Sequence, residues 1–154
     1  MKIEFQTINT ADIPALLSLI QAFYKEDQHP YDEAHLRLAI QGLLEQPTYG
    51  QIWLIQLGQT RIGYLVLTVG YSLESGGKEG LLDEFYLEPA YRGQGFGRQS
   101  IDFLIRYCEE VDIKQIWLEV ETHNETARSL YEHLGFIMDT SHLMTYSISG
   151  RTNA

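Results

Sequence analysis

The chain has 154 residues, 44% of them hydrophobic, one cysteine and a formal net charge of −10. That length and apolar content suit one domain with a real core and exclude a disordered chain. The charge argues against a nucleic-acid backbone as partner, and a lone thiol excludes both an internal disulfide and a structural zinc site.

The opening segment MKIEFQTINT has no apolar stretch of signal-peptide length. The most apolar run, IGYLVLTVGY, is about half of what a bilayer span needs. A soluble cytoplasmic protein without membrane partners is therefore expected. The acidic balance is compatible with a cationic substrate, and equally with an acidic surface that serves solubility.

KIEFQTI alternates as a strand. Thr10 then caps an apolar-periodic helix through Ile13, Leu16, Leu17, Ile20 and Phe23, with Pro14 in its first turn. KEDQHPYDE breaks this helix, and a second carries Leu36, Leu38, Ile40, Leu43 and Leu44 before Pro47. QIWLIQL and RIGYLVLTVGY read as two strands joined in a hairpin at Gly58-Gln59-Thr60. LLDEFYLE, residues 81–88, is a strand closed by Pro89. The loop RGQGFGRQ opens a helix with the stripe Ile101, Leu104, Ile105 and Cys108, on which a buried, inert thiol is expected. KQIWLEVE, residues 114–121, is a further strand. The last helix carries Ala127, Leu130, Tyr131 and Leu134 and stops at Gly135. FIM and HLMTYSI read as short closing strands. The order β-α-α-β-β-β-α-β-α-β-β describes a mixed α/β sheet, antiparallel in its front half, with a parallel crossover between residues 81 and 120.

Gly93, Gly95 and Gly97 do not match the dinucleotide fingerprint, and no Lys-Ser/Thr follows as a Walker loop requires. The loop nevertheless has the physics of an anion site. Its glycines let backbone N–H groups turn inward, a helix begins near Gly95, and Arg92 and Arg98 flank it. A plain strand-to-helix turn with solvated arginines is the alternative. The histidines lack metal-ligand spacing, so no metal is expected.

Arg92-x-x-Gly95-x-Gly97, placed after a strand and opening a helix, resembles the pyrophosphate signature of the GCN5-related N-acetyltransferases. NETARSLYEHLGF resembles that family's second signature through Asn124, Tyr131, Gly135 and Phe136. The element order is similar to the family's over residues 1–147, leaving 148–154 as a tail of a single acetyltransferase domain. The resemblance implies a central mixed sheet of six to seven strands with about four helices, in which strands 81–88 and 114–121 are parallel and splayed around acetyl-CoA. It implies that Phe85, Tyr86 and Leu87 contact the acetyl and pantetheine groups through backbone. The pyrophosphate would lie on Arg92, Gly93, Gln94, Gly95, Phe96, Gly97 and Arg98, and Asn124 would bond the pantetheine arm. Asn124 also reads as a helix N-cap, with Thr122 and Glu125 as a competing capping box.

The reaction implied is acetyl transfer from acetyl-CoA to a primary amine by direct attack, through a tetrahedral intermediate. Tyr131 would protonate or hydrogen-bond the leaving thiolate; its position on the inward stripe equally suits a packed core tyrosine. Glu84 and Asp83 are the base candidates, with Glu84 preferred; Glu119 and Glu121 on the next strand are further possibilities, and the alternative is that neither Glu84 nor Asp83 is the base. Alternation puts Asp83 with Phe85 and Leu87, and Glu84 with Leu82 and Tyr86. Tyr24, His29 and Tyr31 fall where the family builds part of its acceptor pocket, and equally suit a solvated loop. A non-catalytic acyl-CoA-binding or regulatory module is the other reading. The amine is not specified by any motif, and homodimers are common in the family.

Overall fold

The computed structural model describes residues 1–148, so residues 149–154 of the expected tail lie outside the described residues. The elements are β1 (Glu4–Thr7), α1 (Ile13–Glu26), α2 (Glu33–Glu45), β2 (Gly50–Leu57), β3 (Thr60–Ser72), β4 (Gly77–Leu87), α3 (Phe96–Glu110), β5 (Gln115–Trp117) and α4 (Glu125–His133). The five strands form one sheet in the order β1-β2-β3-β4-β5. The first three pairings are antiparallel, and β4–β5 is parallel.

Apolar alternation along β2 and β3 is buried on both faces, because helices cover both. One face holds Leu54, Tyr64, Val66 and Tyr86 against Leu16, Leu17, Ile20 and Ile40 of α1 and α2. The other holds Trp53, Leu65, Leu67 and Leu82 against Phe96, Ile101, Leu104 and Cys108 of α3. Leu38 departs from the expected apolar stripe of α2 and is 72% exposed. The start of α1 also differs. A short 3-10 turn over Thr10–Asp12, capped by Asn9, precedes it, so the expected cap Thr10 lies inside that turn and Asp12 stands at the N-cap of α1 without a side-chain cap bond. Asn9 accepts from the Ala11 N–H at 2.9 Å, and its own N–H donates to Asp12 at 2.9 Å.

β3 and β4 approach closely at the end that carries the site. Gly63 lies opposite Leu87, and a Cβ there would stand 2.1 Å from the Tyr86 carbonyl oxygen. Only glycine lets the strands meet at this point.

The expected six to seven strands are five among the described residues. FIM and HLMTYSI form no strand among the described residues, and the strand expected over 114–121 is reduced to Gln115–Trp117. Apolar and β-branched residues supply strand propensity, but a strand also needs a neighbour to pair with. β5 offers an edge of only 3 residues. Ile137, Met144 and Ile148 accordingly point to solvent.

Candidate active site

The site begins at an irregularity in β4. Leu82 pairs with Leu67 but Glu84 pairs with Val66, so Asp83 is the extra residue of a β-bulge. A bulge resets the alternation. Leu82 stays on the α3 face, while Glu84 joins Tyr86 on the α1 face. The simple alternation expected from sequence had Leu82 and Glu84 on one face, and the bulge overturns it.

Glu84 is held by two phenols. Tyr24 of α1 donates to it at 2.5 Å and Tyr64 of β3 at 2.7 Å. Burial raises the Glu84 carboxyl above its usual range, while both tyrosine bonds pull it down; Asp83 pushes it up and His29 pulls it down. Both phenols are driven well above their ordinary value, first by burial and then by the Glu84 carboxylate. They therefore stay protonated and act as donors. Tyr24 also packs against the rings of His29 at 4.7 Å and Tyr31 at 6.4 Å. Sequence reasoning placed Tyr24 near the acceptor side but missed Tyr64. A tyrosine inside an apolar run carries no local signal; strand register alone brings it to Glu84. Asp83 remains exposed, and partial desolvation followed by the Glu119 carboxylate raises its carboxyl.

Beside these carboxylates the sheet opens. β4 and β5 pair only at Glu79–Gln115, Gly80–Ile116 and Leu81–Trp117. From Leu82 to Leu87 no strand lies on that edge of β4 among the described residues. An open sheet edge leaves N–H and C=O groups that need partners.

The glycine loop follows directly. Gly93 and Gly95 take φ of 73° and 85°, the left-handed region where a side chain would be strained. Gly95 is the N-cap of α3, no side chain caps this end, and no acid lies in the first turn. The N–H groups at the start of a helix have no carbonyl one turn earlier, so they remain available as donors. Gly97 serves packing as well: a Cβ there would stand 3.3 Å from Leu130 of α4. The flanking arginines differ. Arg98 is largely exposed, 3.9 Å from Asp102. The Arg92 guanidinium is engaged by Glu26 at 2.9 Å and by the Leu87 carbonyl at 2.9 Å.

Asn124 is the N-cap of α4, and its Oδ1 accepts from the Ala127 N–H at 3.1 Å. Thr122 and Glu125 do not cap this helix. The cap uses the carboxamide oxygen and leaves the NH₂ as a donor. Tyr131 packs on the α3 face beside Leu130, with Phe136 at 5.6 Å. Burial pushes its phenol up to about 12. A hollow of about 500 Å³ between α3, β5 and α4 is lined by Tyr131, Leu118, Val120 and the segment 134–139. Cys108 also lines it and is 2% exposed, and burial raises its thiol to about 11. Such a thiol is a poor nucleophile.

No group of three or more His, Cys, Asp and Glu is arranged to hold a metal among the described residues. Nor is any described helix long and apolar enough to cross a membrane.

The geometry can be set against known proteins. The model of the acetyltransferase (GNAT) family matches residues 13–136. The chain belongs to this family. Its relatives include an uncharacterized N-acetyltransferase of Bacillus subtilis, YycN, 33% identical over 60% of this chain and 58% of the relative. They also include the [ribosomal protein bS18]-alanine N-acetyltransferase of Escherichia coli, 40% identical over 38% of this chain and 39% of the relative. The matched part thus spans well under two thirds of either relative. An integron cassette protein from a salt-marsh metagenome has the same fold, with TM-score 0.84 and 29% identity over 94% of this chain and 90% of that one.

Proposed function

We propose that the chain is an acetyl-CoA-dependent N-acetyltransferase that transfers the acetyl group to a primary amine by direct attack. The observation that carries this reading is the opening of β4 from β5 after Leu81, directly ahead of an uncapped helix N-terminus. Bound acetyl-CoA would supply the activated acetyl group. The free edge of β4 at Phe85, Tyr86 and Leu87 is suited to hydrogen-bond an extended, amide-bearing arm, as a further strand would. The N–H groups from Gly93 to Arg98, with the Arg98 side chain, suit a pyrophosphate. The Asn124 NH₂ is a further donor to the arm.

The residues then divide the proton work. An alkylamine with a pKa near 10.4 costs roughly 4–5 kcal/mol to deprotonate at pH 7. Glu84 takes that proton, directly or through water, and the two phenols hold its carboxylate in place. Asp83, on the cleft side of the bulge, is the second candidate. A backbone N–H near Leu87 steadies the developing oxyanion. Tyr131, protonated at neutral pH, donates to the departing thiolate.

The deciding experiment has two arms. Calorimetric titration with acetyl-CoA, against NAD and ATP as controls, tests the cleft; absence of acetyl-CoA binding overturns the reading. An amine panel read by free CoA thiol then tests the chemistry. It includes an alanine-started peptide, since one relative is named for such an acceptor, together with polyamines and aminoglycosides. Binding without turnover on any amine would leave a non-catalytic acyl-CoA module.

A further inference from the structure

Arg92 occupies the first position of the loop signature, yet its guanidinium turns away from α3 toward the opposite side of the site. Its Nη1 and Nη2 meet the two carboxylate oxygens of Glu26 at 2.9 Å each. Its Nε donates to the Leu87 carbonyl at 2.9 Å. Its cation lies over the Tyr86 ring, 5.6 Å from the centroid. Glu26 is the final residue of α1, so the cation also sits at the negative end of that helix.

The last turn of α1 is what this fork holds. Phe23 packs on Tyr86 at 5.3 Å, and Tyr24 donates to Glu84. Beyond Glu26 the chain leaves the helix: the Asp27 N–H bonds back to Phe23, and Gln28 takes a φ of 55°. Packing anchors α1 through Leu16, Leu17 and Ile20, all earlier in the helix. A fork-to-fork ion pair fixes direction as well as distance, which a lysine would not do. An arginine paired in this way adds little net charge to the glycine loop.

We propose that Arg92 is a positioning residue that pins the end of α1 to the end of β4, and so holds Tyr24 over Glu84, rather than a ligand of the cofactor phosphates. This rests on the acetyltransferase reading, in which Glu84 is the base.

The test compares Arg92→Gln and Glu26→Gln. Two quantities are read: the acetyl-CoA Kd by calorimetry, and the Glu84 carboxyl titration by carbon-13 NMR. Loss of the pin frees Tyr24, removes a donor that favours the charged carboxylate, and moves the Glu84 titration to higher pH. Both variants should show that move with Kd within roughly threefold of wild type. Asp83, His29 and Tyr64 also act on Glu84 and are unchanged in every variant. A Kd weakened about tenfold or more in Arg92→Gln, as loss of a charged phosphate contact would give, overturns the proposal. A Glu84 titration that stays in place overturns it as well. Should Arg92→Gln fail to fold, Glu26→Gln answers the same question from the other end. Absence of acetyl-CoA binding by the wild-type chain overturns the parent reading and this one together.

Discussion

β3 and β4 run side by side from Gly63–Leu87 to Ser72–Gly77, whereas β4 and β5 share only the stretch from Glu79 to Leu81. The first pair lies within a sheet covered on both faces, with Leu65 and Leu67 fully buried. The second ends early, and the segment after it leaves Ile137 92% exposed. The difference teaches where function can be placed. The deep antiparallel half supplies rigidity and holds Glu84 between two tyrosines. The shallow parallel half leaves an edge open for a ligand. The candidate site sits on β4 because that strand belongs to both.

The comparison can be broken first through stability. Leu65→Ala should cost about 2–5 kcal/mol, whereas Ile137→Ser should stay within about 0.5 kcal/mol. Urea denaturation of both variants checks this, and equal costs would mean that the two halves are not built differently. Next come the two carboxylates that the bulge separates. Glu84→Gln should lower turnover about 100-fold or more with acetyl-CoA affinity kept, and Asp83→Asn by only about threefold. The reverse order would move the base to the cleft side.

On the α3 face, Tyr131→Phe should reduce turnover about tenfold with acetyl-CoA binding retained. Since burial holds this phenol near 12, turnover should show no basic limb from Tyr131 between pH 7 and 10. The smallest effect is on stability against pH. Glu84 has a folded-state carboxyl pKa above the ordinary glutamate value. The native state therefore binds the proton more tightly than the unfolded state in that window. Stability contributed by the protonated form is present below the ordinary value and is lost as pH rises through the raised one. Denaturation midpoints should fall across that interval in the wild type and remain flatter in Glu84→Gln.

Much of this was legible in the chain. The hairpin at Gly58-Gln59-Thr60, the start of α3 near Gly95 and the Gly135 stop of α4 follow from local chemistry, and so do the helical stripes apart from Leu38. The cleft between β4 and β5 was legible through the resemblance of RGQGFGRQ and NETARSLYEHLGF to family signatures. The closing strands were misread because FIM and HLMTYSI have the composition of strands and no partner here. The bulge at Asp83 was missed because alternation is a rule about regular pairing, and one extra residue leaves no mark in composition. Tyr64 and Glu26 were missed because their partners lie 20 and 66 residues away.

What the sequence determined by itself is therefore local: helix periods and turn glycines, each set by contacts within a few residues. Tertiary structure alone decided which face Glu84 takes, what holds it, and where the Arg92 charge is directed. Strand register and helix docking bring distant groups to hydrogen-bond distance. A shift of one residue at Asp83 reverses the face of every side chain that follows.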